Sequence, residues 1–269
     1  MPLLVLAFVA AWIPAFLQAA EPGQAPAQPA REEPAGATRV YEFRTVRVAP
    51  AKLEAFHARL RDHQIPALAR HGVVVQGVFV PVGENPDRIV HLLTAAESVA
   101  AMDAGWAALA NDAAWLETLA ATDRDGPLVL DGETELLVTT AWSPPFMPQV
   151  SATPRVFERR IYSCPDPAKH AALLRRFQDH TVALFTKHGM QNIVYWTPAT
   201  PPASQHRLVY LLGHENEAAA KASFAAFRTD SDWVAARKES EERAGGSLTN
   251  AQKGVVSEFL TATDYSPLR

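Results

Sequence analysis

The sequence predicts an α+β fold made of two tandem copies of one β-α-β-β-α-β unit, and two observations carry that prediction. The first is internal repetition. Arg39-Val40-Tyr41-Glu42-Phe43-Arg44 opens one unit and Arg155-Val156-Phe157-Glu158-Arg159-Arg160 opens another. A Pro-containing turn follows in each (Ala49-Pro50-Ala51-Lys52; Asp166-Pro167-Ala168-Lys169), then a stretch carrying Arg61-Asp62-His63 or Gln178-Asp179-His180. These stretches end at Arg70-His71-Gly72 and Lys187-His188-Gly189. Later, Asp112 and Trp115 match Asp230 and Trp233, and both units close on Ser-Pro, at Ser143-Pro144 and Ser266-Pro267. The second observation is that hydrophobic periodicity changes in the same order in both copies.

Val40 to Val48 alternates around β-branched and aromatic residues, as a strand does. Pro50 suits the first turn of a helix, in which Leu53, Phe56, Leu60 and Ala67 recur at helical spacing, as do Leu173, Phe177 and Leu184. Gly72 and Gly189 stand where a left-handed residue ends a helix. Val73 to Val80 and Met190 to Thr197 read as second strands, Ile89 to Thr94 and Leu208 to Gly213 as third strands. A second helix spans Val99 to Leu109, or Glu217 to Phe227. A short helix around Trp115 or Trp233 then precedes a last strand, Glu133 to Thr140 or Val255 to Thr263. This order is the split-βαβ, ferredoxin-like arrangement.

Composition bounds the function. The chain has 269 residues, 48% hydrophobic and 20% charged, ordinary for a globular protein with one or two cores. A formal net charge of -4 without a basic run argues against a nucleic-acid partner. The single cysteine, Cys164, excludes an intrachain disulfide and a Cys-based metal site. The histidines lack metal-ligand spacing, and no phosphate-cradling loop, dinucleotide fingerprint or nucleophile elbow is present, so neither a metal nor another cofactor is expected. Residues 1–20 read as a signal peptide, uncharged and rich in Leu, Val and Ala, and residues 21–37 as a Pro/Ala-rich disordered tether. The mature protein is then expected in the periplasm or outside the cell, with no membrane association after cleavage. An uncleaved N-terminal anchor is the competing reading. Copy one is placed at residues 38–147 and copy two at 154–267.

The quoted motifs, together with Tyr195-Trp196-Thr197 and the Asp-x-x-Trp pairs Asp112-Trp115 and Asp230-Trp233, resemble the NIPSNAP family of the dimeric α/β-barrel superfamily. The resemblance covers nearly everything after the leader. It implies ferredoxin-like units whose four-stranded sheets pack face to face as a barrel, here supplied by the two copies of one chain. Copy one departs from the pattern, with Arg44-Thr45-Val46 where copy two has Arg160-Ile161-Tyr162, and with Pro66 where copy two has Ala183. A proline inside a helix removes a hydrogen bond and suggests a kink. Copy two is therefore the better candidate for a site.

Strand alternation puts Glu42 and Arg44 on one face of the first strand, and Glu158, Arg160 and Tyr162 on the matching face of copy two. If helices cover the other, more apolar face, these residues point into the barrel. Arg160 would then hold an oxyanion and Tyr162 supply a hydroxyl. A Glu–Arg network keeping the sheets in register is the competing account. His180, beside the core-facing stripe, is the third catalytic candidate, because imidazole titrates near neutral pH. Arg44, His63, Glu158 and Trp196 are the accompanying ligand-binding candidates, although tryptophans fill cores first. Two functions fit: a cofactor-free small-molecule enzyme, or a non-catalytic module that holds a small-molecule ligand or a partner protein. A homo-oligomer is compatible with either.

Overall fold

The computed structural model describes residues 39–153, 155–199 and 206–269. The leader and tether expected over residues 1–37 lie outside the described residues. Copy one runs β1 (Val40–Val48), α1 (Leu53–Arg59), α2 (Ile65–Arg70), β2 (Val74–Pro81), β3 (Ile89–Ala96), α3 (Val99–Ala110), α4 (Ala113–Thr122) and β4 (Val129–Thr139). Copy two repeats this with β5 (Val156–Cys164), α5 (Pro167–Arg176), α6 (Val182–Lys187), β6 (Gln191–Pro198), β7 (His206–His214), α7 (Glu217–Thr229), α8 (Ser231–Arg243) and β8 (Val255–Ala262). Both sheets have the order last-first-third-second, and every strand pair is antiparallel. Among the described residues no helix is long and apolar enough to cross a membrane.

The two sheets face each other across a shared core, but they are not separate layers. Their edges join, β2 to β8 and β4 to β6, in a closed eight-stranded barrel. Closure removes the unpaired edges that open sheets leave exposed. Each seam has a short ladder, Phe79–Pro81 against Leu260–Ala262 and Leu137–Thr139 against Trp196–Pro198.

The Ser-Pro ends reinforce both seams by crossing to the other copy. Thr140 N donates to Tyr195 O at 2.9 Å, and Tyr195 N donates to Ser143 Oγ at 3.0 Å. The counterpart bonds are Thr263 N to Val78 O at 3.0 Å and Val78 N to Ser266 Oγ at 2.9 Å. Trp142 thereby packs on Tyr195 and Phe177 of copy two, while Tyr265 hydrogen-bonds His57 of copy one.

Three cores result. One lies between the copy-one sheet and its helices, around Val46, Phe56, Leu60, Leu68, Val78 and Met102. Another occupies the same place in copy two, around Leu173, Phe177, Phe185, Tyr195, Tyr210 and Phe224. The third fills the barrel lumen from both copies: Tyr41, Phe43, Phe79, Leu137, Phe157, Trp196, Leu211 and Leu260.

Local sequence explains the helix ends. Ser98 and Asn216 cap α3 and α7 by accepting from Ala101 N and Ala219 N. Ser98→Ala or Asn216→Ala is expected to cost about 1 kcal/mol each in urea unfolding; an unchanged midpoint would mean that these caps do not hold in solution. Gly72 and Gly189 take φ of +78° and +76°. That turn lets Val73 N reach Leu68 O and Met190 N reach Phe185 O, closing each helix as anticipated.

The helix before each of these glycines is not continuous. A π turn spans Leu60–Gln64 between α1 and α2, and another spans Phe177–Thr181 between α5 and α6. Pro66 follows the π turn in copy one and Ala183 follows it in copy two, so the interruption is a feature of both copies. The interruption belongs to the fold rather than to the proline.

Candidate functional site in the barrel lumen

Two expectations about the site are corrected. Glu42 and Arg44, with Glu158, Arg160 and Tyr162, face the helices and not the barrel. The lumen instead receives the alternate face, Tyr41-Phe43-Thr45 and Phe157-Arg159-Ile161. The more apolar face goes inward because it packs against the matching face of the other copy, whereas the charges under the helices are paired in place. Glu42 and Arg44 form a buried ion pair at 2.9 Å, with the guanidinium 4.0 Å from the Trp106 ring centroid. Glu158 accepts from Arg160 at 2.5 Å, from His214 Nε2 at 3.1 Å and from Ser257 Oγ at 2.5 Å. Arg160 also donates to the hydroxyls of Tyr210 (3.0 Å) and Tyr162 (3.4 Å), and its guanidinium lies 4.5 Å from the Phe224 ring centroid. Burial opposes ionisation of Glu158, but the bond from His214 and the charge of Arg160 outweigh it and lower its pKa.

The second correction concerns His63 and His180, which are exposed rather than beside the core. The π turn supplies the reason: its extra residue per turn moves the inward position one place along. Gln64 and Thr181 are buried where helical spacing predicts the histidines. Of the seven candidates only Trp196 is in the lumen, fully buried against Tyr41 and Phe146. His71 and His188 bond Asp112 and Asp230 at 2.9 and 2.8 Å, the N-caps of α4 and α8.

The lumen holds polar residues that sequence reasoning passed over. Arg159 Nη2 is 2.9 Å from Glu258 Oε2, and its guanidinium lies over the Phe43 ring, 4.3 Å from the centroid. His91 Nε2 is 3.1 Å from Glu258 Oε1, and Thr45 Oγ1 is 3.0 Å from His91 Nδ1. With the proton on Nε2, His91 donates to the carboxylate while Nδ1 accepts from the threonine hydroxyl. Arg207 pairs with Glu135 at 2.6 Å. The strands fix this set. Thr45 faces His91 across β1 and β3, Phe43 faces Glu135 across β1 and β4, and Arg159 faces Glu258 across β5 and β8.

The cluster is partly reached by solvent: the side chains of Arg159 and Glu258 retain 17% and 28% exposure, whereas His91 retains 2%. Its two carboxyls diverge. Burial raises Glu135, with Arg207 and Arg159 pulling against it. Burial acts the same way on Glu258, but the hydrogen bond from His91 and the charge of Arg159 override it and lower its pKa. Carboxyls pushed in opposite directions within one site can divide acid and base roles. The sequence held two signals for this cluster: Arg159 is the charged residue on the otherwise apolar face of β5, and His91 interrupts the apolar run of β3. Among the described residues no group of three or more His, Cys, Asp or Glu side chains is arranged to hold a metal ion.

Solved structures share the fold. A proposed monooxygenase from Fusobacterium nucleatum superposes with a TM-score of 0.55 at 7% identity, covering 84% of this chain and 93% of that one. A proposed monooxygenase from Lactobacillus acidophilus gives 0.52 at 10% identity, over 84% and 94% of the two chains. At these identities the likeness concerns the fold alone. A NIPSNAP family protein of unknown function from Agrobacterium tumefaciens is 22% identical, with a TM-score of 0.35, over 40% of this chain and 94% of its own. No curated protein matches. A family model described as NIPSNAP matches residues 41–144 and again residues 157–267. With both halves of its barrel matched in this way, the chain belongs to the NIPSNAP family.

Proposed function

We propose that this barrel is a cofactor-free small-molecule enzyme whose lumenal cluster moves a proton on a small organic acid or phenol. The observation that carries the reading is the connected line Thr45 hydroxyl, His91 imidazole, Glu258 carboxylate, with Arg159 on the same carboxylate. A hydroxyl on one imidazole nitrogen and a carboxylate on the other fix the tautomer and let the ring accept a proton. Arg159 and Arg207 are the groups suited to an anionic substrate, because a guanidinium binds a carboxylate through two parallel hydrogen bonds.

Solvent-deuterium incorporation into a panel of 2-oxo acids and phenols tests this. Wild type is expected to exchange at least one of them. His91→Gln should lose about 10²-fold or more, the usual contribution of a general base, and retain binding of that compound in a thermal-shift titration. Binding without exchange favours the second reading, a non-catalytic module, which is supported by the side chains filling the lumen around Trp196 and Phe157 and by the arginine–carboxylate pairing. If neither exchange nor binding is found, the lumenal site is not functional.

We also propose that the protein is exported, on the strength of the uncharged apolar run at residues 2–20. The mature chain from its host should then begin between Ala20 and Gln28; intact Met1 in a soluble cytoplasmic fraction refutes export.

A further inference from the structure

Copy two carries an outer groove between α5 and α8, separate from the lumen. It measures about 350 Å³ and is lined by Lys169, Arg175, Arg176, His180 and Arg243 with several alanines. The two copies provide an internal control for its most buried member. Arg59 and Arg176 precede the two π turns, and both are stacked near a tryptophan, 5.9 Å from the Trp115 centroid and 5.0 Å from the Trp233 centroid. In copy one the charge is closed off. Arg59 Nη1 lies 2.7 Å from Asp123 Oδ1 and 3.1 Å from Thr122 Oγ1.

In copy two the matching positions, counted from Asp230 and Trp233, are Ser240 and Glu241. Arg176 Nη1 reaches Ser240 Oγ at 3.3 Å and Glu241 Oε1 only at 3.7 Å. That same Glu241 oxygen is 3.2 Å from Arg237 Nε, so its charge is shared. Arg176 retains 5% side-chain exposure. A guanidinium this buried, held by a hydroxyl and a long, shared ion pair, is under-compensated relative to its twin.

The neighbours sharpen the contrast. Among the carboxylates lining the groove, Glu239 pairs with Arg243 and Asp166 caps α5 by accepting from Lys169 N. Lys169, Arg175, Arg176, Asp179 and His180 complete its charged and titratable lining. Ala172, Ala236 and Ala244 give the groove a flat apolar lining.

We propose that this groove binds a phosphate group, with Arg176 as its buried anchor and Lys169 and Arg175 as outer contacts. A dianion suits several cations around one guanidinium, and the alanine lining leaves room for an organic body. The inference is independent of the lumenal chemistry.

Calorimetric titration of the full chain, in phosphate-free buffer at low salt, tests it with inorganic phosphate and phenyl phosphate. Saturable binding of at least one is expected. Tighter binding of phenyl phosphate identifies an ester as the ligand, and equal binding identifies the free ion. The variant Ser240→Asp puts a carboxylate in place of the hydroxyl that bonds Arg176 and should weaken binding at least tenfold with an unchanged fold. Lys169→Ala/Arg175→Ala, which leaves the buried position alone, should do the same and serves if the first variant does not fold. The proposal is overturned if wild type binds neither compound at millimolar concentration, or if both are bound equally well by a folded variant.

Discussion

Truncating Phe157 to alanine is expected to lower the stability of the whole chain by about 3–5 kcal/mol, the usual loss for a fully buried aromatic residue. Phe157 is completely buried in the lumen, with its ring centroid 5.3 Å from that of Phe79 in the other copy. At this chain length the loss corresponds to a melting temperature lower by roughly 10 °C. Because the ring belongs to a core built by both copies, unfolding should stay a single transition, with both halves melting together in calorimetry and circular dichroism. Two separated transitions, only one of them shifted, would mean that the copies unfold independently and that the lumen is not a shared core.

The second large effect belongs to Glu158, which is 1% exposed and serves Arg160, His214 and Ser257 at once. Glu158→Ala leaves the mostly buried Arg160 guanidinium without its carboxylate and should cost about 3–5 kcal/mol. Arg160→Met alone should also destabilise, by leaving Glu158 charged and less compensated. The double variant Glu158→Gln/Arg160→Met should lose less than the two single losses combined, because it removes both charges together. A strictly additive double variant would show that the pair is not coupled.

Acid unfolding supplies an independent check. Glu158 has its folded pKa lowered from an ordinary value of 4.5. Its contribution to stability is therefore fully present above that value and is lost as pH falls through the lower, folded one. Glu158→Gln should accordingly show a shallower loss of stability below pH 4.5 than the wild-type chain.

The sequence was informative wherever a local rule acts alone. Repetition, the glycines at the helix ends and the order of strands and helices all correspond to observed elements, because each depends on residues close together in the chain. Alternation could not say which strand face enters the lumen. In a barrel wrapped by helices both faces are buried, so Arg159 and Arg160 are both covered and only their partners differ. The π turns were hidden for another reason: Leu60–Gln64 and Phe177–Thr181 contain no residue that forbids an ordinary helix, and the inserted position appears only once Gln64 and Thr181 are seen buried. The Ser-Pro ends were visible as boundaries, but their bonds to the opposite copy are long-range contacts with no local signature.

The place where Arg159 lies over the Phe43 ring is a break in the symmetry between the two copies. Arg159 and Phe43 occupy equivalent positions, each opposite a glutamate of the last strand of its own copy. In an assembly of identical subunits, twofold symmetry would give both positions the same residue: two arginines repelling each other, or two rings with no charge between them. A cation resting on an aromatic face requires the two sides to differ. With both halves in one chain, each position is encoded separately and that constraint is absent. Arg159 and Phe43, and likewise His91 opposite Thr45 where copy two has Val209 opposite Ile161, are the asymmetry that a symmetric dimer cannot encode.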